Sequence, residues 1–113
     1  MAIDYPRAMA AYKIAAEAGH ALSQYQIGHM YYNGLGVAVD YQQARAWIEK
    51  AAAQDHPNSV VELGYMYFKG EGVISSWRRA RELYKRASEL GCTSAVKNMQ
   101  ILNQDIQQVR QRE

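Results

Sequence analysis

The chain has 113 residues, of which 49% are apolar and 21% charged, and a formal net charge of +2. This length makes one small domain with enough apolar side chains for a core. The charge is too low to argue for nucleic acid, and no run nears the roughly 18 apolar residues of a membrane span. One cysteine, Cys92, excludes an intrachain disulfide framework, and MAIDYPRAMA has neither a basic leader nor an apolar stretch, so a reducing, cytoplasmic compartment is favoured.

Residues 5–18 read as an amphipathic helix, with Ala8, Ala11, Tyr12, Ala15 and Ala16 on one face of a 3.6-residue period. Asp4 supplies the capping oxygen, Pro6 sits in the first turn, and Gly19 ends the helix. A second helix is predicted over 21–33, burying Tyr25, Gly28, Met30 and Tyr31. Gly28 in its middle costs about 1 kcal/mol in helix propensity, which points to a neighbouring helix too close for a Cβ. The loop NGLGVAVD then turns the chain on Gly34 and Gly36, with Val37 tucked back and Asp40 as the next cap. It lacks the strand and third spaced glycine of a dinucleotide loop and the Gly-Lys-Ser/Thr of a Walker loop.

The third helix, 41–54, turns Ala44, Trp47, Ile48, Ala51 and Ala52 inward, and the fourth spans 57–69. After a second loop, varied by Glu71 and Ile74 and capped by Ser76, a fifth helix covers 77–90. Its inward residues are Ala80, Leu83, Tyr84, Ala87 and Ser88. From Thr93 to about residue 110 one longer helix ends in the polar run QDIQQVRQRE.

These elements repeat at an offset of 36 residues. Gly28, Met30, Tyr31, Gly34, Gly36 and Val37 fall on Gly64, Met66, Tyr67, Gly70, Gly72 and Val73. Ala8, Ala44 and Ala80 form one column, and Ala15, Ala51 and Ala87 another. A fixed register without gaps is the signature of a stacked helical-repeat array. The glycine column continues to Gln100 and the tyrosine column to Asn103, so the last helix departs from the pattern, as a terminal solenoid helix should.

With these columns the chain resembles the Sel-one-like repeat family, a branch of the tetratricopeptide superfamily. Its motif appears here as Ile27, Gly28, Tyr31, Gly34, Gly36, Val37, Asp40, Tyr41, Ala44, Trp47, Lys50, Ala51 and Ala52. It returns as Leu63, Gly64, Tyr67, Gly70, Gly72, Val73, Trp77, Ala80, Tyr84 and Ala87, and covers residues 4 to about 99. Departures are Ser76 for Asp, Asp55 for Gly and Gln100 for Gly. The resemblance implies a right-handed all-α solenoid of antiparallel helix pairs, six helices in all. In the family's division, 4–20 is a half repeat holding a B-type helix without its A partner, and 21–56 and 57–92 are full repeats. Residues 93–113 are then a C-terminal capping helix. Secreted relatives with a cysteine pair per repeat are not matched. The implied role is protein–protein interaction or scaffolding without catalysis.

The candidate chemistry is sparse. His20, His56 and Cys92 share one column, but residues one repeat apart lie roughly 8–10 Å or more from each other, too far for metal bonds of about 2 Å. No metal or cofactor is therefore expected. His29 has no nucleophile or acid at catalytic spacing, so no enzyme is expected, and Cys92 reads as a small half-buried residue. Arg78, Arg79, Arg81, Lys85 and Arg86 make a basic face on the fifth helix, with Arg78–Glu82, Glu82–Arg86 and Lys85–Glu89 spaced for intrahelical pairing.

In tetratricopeptide-like solenoids the A helices line the concave surface. Carried over, that puts Leu22, Tyr25, His29, Tyr32 and Asn33 on a groove, with Asn58, Val61, Tyr65, Phe68 and Lys69 on its next turn and Lys97 and Ile101 beyond. Polar-tipped aromatics on such a wall suit a peptide-binding surface, although some of these rings fit equally between neighbouring A helices. The expected partner is thus another protein or a peptide segment on the concave face. Alternatives are a basic docking module for nucleic acid or an anionic surface, and a structural segment of a longer solenoid. Met9 and Ile14 occupy columns held elsewhere by Arg45 and Arg81 and by Lys50 and Arg86. An uncovered apolar patch there, and self-association through the first helix, are expected.

Overall fold

The computed structural model describes residues 4–112, with side chains to residue 108. Among the described residues there are six helices and no strand: α1 (Tyr5–Glu17), α2 (Ala21–Asn33), α3 (Tyr41–Ala52), α4 (Pro57–Lys69), α5 (Trp77–Glu89) and α6 (Thr93–Arg112). The all-α solenoid follows, with element ends within about two residues of the sequence reading. The side chains of the polar tail over 109–113 lie outside the described residues.

Local chemistry starts and stops each helix. Asp4, Asp40 and Ser76 accept from the backbone N–H of Arg7, Gln43 and Arg79, as the capping pattern predicts. At the starts of α2 and α4 the cap position holds His20 and His56, a role the sequence reading missed. His20 Nδ1 accepts from Ser23 N–H at 3.3 Å and lies 2.6 Å from Ser23 Oγ; His56 Nδ1 lies 2.7 Å from Ser59 Oγ. Gly34 and Gly70, at φ +68° and +74°, end α2 and α4 by returning their N–H to the carbonyls of Met30 and Met66.

The helices stack in two layers. α2 packs chiefly on α3 and α4 on α5, while α1 on α2, α3 on α4 and α5 on α6 link successive pairs. α4 also touches α6 directly, so these two helices lie side by side. The result is elongated, 50 × 28 × 27 Å. Its radius of gyration is 15.2 Å, against about 13 Å for a globular chain of this length.

Within each pair the helices approach until a glycine has no room for more. A Cβ on Gly28 would lie 2.5 Å from Ile48 Cγ1 and 3.1 Å from the Ala44 carbonyl oxygen. On Gly64 it would lie 2.8 Å from the Tyr84 ring. Ile27, Ile48, Val60, Met66, Tyr84 and Leu102 are fully buried around these contacts.

Three expectations change. Met9 is not a surface residue: it packs with Ala16, Ile27 and Met30, because α2 itself covers it, whereas Ile14 is 76% exposed. Ala11 is exposed rather than inward. None of the three intrahelical ion pairs expected on α5 forms among the described residues. Arg86 crosses instead to the end of α3, where Nε donates to Asp55 at 3.0 Å and a second nitrogen to the Ala52 carbonyl at 2.6 Å. Asp55 sits at φ +60° in the column where Gly19 and Gly91 are at +95° and +89°. An aspartate tolerates that left-handed backbone better than most side chains, so the turn survives the loss of its glycine.

Gly64→Val is expected to lower stability by about 1–3 kcal/mol from overpacking, since the fully buried Tyr84 ring cannot swing away. An unchanged melting temperature would contradict this close contact. Met9→Lys should lower the melting temperature by placing an unpaired charge among Ala16, Ile27 and Met30, while Ile14→Lys should leave it nearly unchanged. Thermal melts followed by circular dichroism check both.

Candidate partner-binding face

Most of the groove residues expected on the even-numbered helices are exposed, although not all stay open. Leu22 (49% exposed), His29, Asn33, Tyr65 (37%), Lys69, Lys97 and Ile101 (53%) are exposed. Tyr25 and Tyr32 are half-buried. Val61 and Phe68 are half-buried against the Ala80, Tyr84 and Leu102 cluster, so they fill the seam between α4, α5 and α6 more than they face outward. Asn58 is exposed at the start of α4.

Ring contacts within each repeat, and one hydrogen bond between repeats, order the side chains along these helices. Tyr25 lies 5.2 Å from the His56 ring and 6.1 Å from His29, centroid to centroid. Tyr32 lies 5.2 Å from Tyr41 and donates its hydroxyl to Glu71 Oε1 at 2.8 Å. The Lys69 ammonium sits 5.9 Å from the Tyr65 ring centre and 5.6 Å from that of Phe68. These tilted pairs and cation contacts are ordinary stabilising geometries that hold the rings in fixed orientations.

Two carboxylates on this face were not identified from the sequence as site residues: Glu62 of α4 and Glu71 of the following loop. Glu62 is half-buried, and no ion pair among the described residues includes it. Burial, and then the charge of Glu71, push its carboxyl above the usual carboxylate range. The Tyr32 phenol is raised far above its ordinary value by burial, then by its hydrogen bond to Glu71 and the charges of Glu71 and Glu62. Tyr41 is raised by Glu71, first as hydrogen-bond acceptor and then as a charge. Burial and then Glu62 raise Tyr25; burial, Tyr65 and Glu62 raise Tyr84. One signal for Glu71 was visible, since it replaces Leu35 of the first loop in the repeat register.

The opposite elements are less open than the sequence implied. Arg78, Arg81 and Lys85 are exposed, but Arg86 is taken by Asp55, and the Arg79 guanidinium lies 5.7 Å from the Tyr67 ring centre. A shallow cleft of about 440 Å³ beside Arg45 and Arg79 is partly closed, because Arg45 donates to the Gly72 carbonyl and pairs with Glu49 at 3.0 Å. His20 and His56 stay with their own serines, and Cys92 Sγ lies 3.1 Å from Ser94 Oγ. No three metal-ligating side chains converge among the described residues, and none of the described helices is long and apolar enough to cross a membrane.

An unpaired, half-buried carboxylate weakens the fold wherever it is ionised. Because the folded-state carboxyl of Glu62 is raised, its penalty is full above that raised value and vanishes as pH falls through it to the ordinary carboxylate range. Glu62→Gln is therefore expected to be more stable than the parent at neutral pH, with the difference closing in acid. Denaturant melts across that range check it; equal stability at neutral pH would contradict the assignment.

Comparison with known proteins agrees with this architecture. A search of curated proteins finds no match, but solved structures do match. The Sel1 repeat protein from Oxalobacter formigenes is 36% identical with a TM-score of 0.77, over 79% of this chain and 67% of that one. A protective antigen present in uropathogenic Escherichia coli strains and displaying an SLR fold is 32% identical with a TM-score of 0.80; the match covers 83% of this chain and only 20% of that one. Helicobacter pylori cysteine rich protein B shares the fold at 24% identity and a TM-score of 0.79, over 84% of this chain and 71% of that one. The Sel1 repeat model matches residues 3–20, 21–56 and 57–92. With that register repeated in the sequence and in the helix packing, the chain belongs to the Sel1 repeat family, whose members generally mediate protein–protein interaction as non-catalytic scaffolds.

Proposed function

We propose that this domain binds a segment of another protein along the concave face lined by α2, α4 and α6, and performs no catalysis of its own. The observation that supports this most is Tyr65: a tyrosine 37% exposed at the middle of the face, with Leu22 and His29 on α2 and Ile101 on α6 exposed on either side. Central aromatic residues ringed by weaker contacts are where interface energy concentrates. The rings of α2 are held by ring contacts within the repeat and by one hydrogen bond, Tyr32 to Glu71, across repeats, so little ordering is lost on binding. Residues 93–112 act in this reading as a capping helix, with Gln100 in the column that holds glycine in α2 and α4.

Self-association through α1 now rests on Ile14 alone, and sedimentation of the parent against Ile14→Lys tests it; a clean monomer at high concentration removes it. For the main reading, a partner recovered by pull-down is titrated against variants. Tyr65→Ala is expected to weaken binding by about 2 kcal/mol or more while leaving helicity intact. Arg78→Glu with Arg81→Glu is expected to change little in moderate salt, because these side chains stand on the other layer. If the arginine reversals abolish binding and Tyr65→Ala does not, the basic face of α5 is the site.

A further inference from the structure

The joint between the two full repeats turns on one side chain. His56 ends the repeat 21–56 and caps α4 of the next, with extended backbone at φ −70° and ψ 110°. Its carbonyl accepts from the N–H groups of Ser59 and Val60 at 3.0 and 3.1 Å, and its Nδ1 lies 2.7 Å from Ser59 Oγ. Ser59 is fully buried, and among the described residues the His56 ring is the one hydrogen-bond partner of its hydroxyl. Shut off from solvent, that hydroxyl donates to an unprotonated Nδ1, and the neutral ring carries its hydrogen on Nε2. The half-buried ring also packs against Tyr25 of α2, 5.2 Å between centroids. His20 and Ser23 repeat the contact at 2.6 Å at the start of α2, but His20 is exposed, so water can replace its serine.

We propose that His56 is a proton-operated latch between the repeats: neutral, it holds Ser59 and the first turn of α4; protonated, it releases both and loosens α4 from α3. A hydrogen on Nδ1 turns the acceptor into a donor. The Ser59 hydroxyl must then swing round and leave its own hydrogen unpaired in a dry site. The imidazolium also stands at the N-terminus of α4, where the helix dipole disfavours a cation. Of the groups around it, the Tyr25 ring favours the cation, and so does Glu62 of α4, whose charge reaches Tyr25. Asp55 at the end of α3 is already engaged by Arg86 of α5, so those two charges offset each other. Burial of the ring prevails and lowers the His56 pKa from its ordinary value. The folded chain therefore binds this proton more weakly than the unfolded chain. The latch contributes its stability above the ordinary histidine value and loses it as pH falls through the lowered one.

The test follows the ring C–H protons of His56 by nuclear magnetic resonance across pH in the whole chain. Their titration midpoint is expected below the ordinary histidine value, with the amides of Ser59 and Val60 shifting at the same midpoint. Ser59→Ala is expected to raise that midpoint, because no hydroxyl hydrogen is then left unpaired. Thermal melts at about pH 8 and about pH 5, either side of the ordinary histidine value, compare the parent with His56→Asn. Asparagine caps a helix and does not titrate. Between these two values the parent is expected to lose about 4 °C more than the variant. Glu62 titrates in both chains and cancels from that difference. A His56 midpoint at or above the ordinary value, a midpoint that Ser59→Ala leaves in place, or equal acid losses in parent and His56→Asn each overturn the latch.

Discussion

A glycine against a neighbouring helix is the contact on which the rest of this structure depends. Gly28 lies under Ile48 and Gly64 under Tyr84, with no room for a methyl group at either place. Because packed interiors leave few voids, that closeness fixes how far α3 can sit from α2 and α5 from α4. The alanines that recur along the odd-numbered helices belong to the same requirement: Ala44, Ala51, Ala80 and Ala87 are fully buried, and larger side chains there would hold the pairs apart. Stacking the pairs then follows from what each leaves uncovered, with α4 taking the far side of α3 and α6 that of α5.

The same contact reaches the proposed binding face. Tyr84 is buried against Gly64, and Glu62 and Tyr65 stand on the same helix as that glycine. Core and face are consequently not independent. The orientation of Glu62 depends on the helix that carries Gly64, and the helix on its fit to Tyr84.

What distinguishes the face from the scaffold is departure from the repeat. Leu35 packs into the core beside Tyr31 and Val37, but its counterpart Glu71 turns to the Tyr32 hydroxyl one repeat away. Gln26, Glu62 and Asn98 share a column of half-buried polar residues, and only the middle one carries charge. On the other layer, Asp55 in place of glycine draws Arg86 out of the basic face. A repeat array can carry such changes cheaply, because each unit needs only its neighbours' packing columns and leaves other positions free.

The helices, their caps at Asp4, Asp40 and Ser76, the glycine-ended turns and the core columns were legible from the residues alone. Each of these rests on chemistry within a few positions, or on a register that repeats every 36 residues and shows which face is inward. The exposure of Leu22, His29, Tyr65 and Ile101 followed from the same register. What only the tertiary structure decided is how unlike residues from different repeats meet. Met9 is in the core because α2 covers it, Phe68 leans into the seam beside α6, and Arg86 finds Asp55 rather than Glu82. Glu71 reaches Tyr32 across 39 positions. No periodicity encodes these meetings, since they depend on the distance and angle between stacked helices, and those are set by packing.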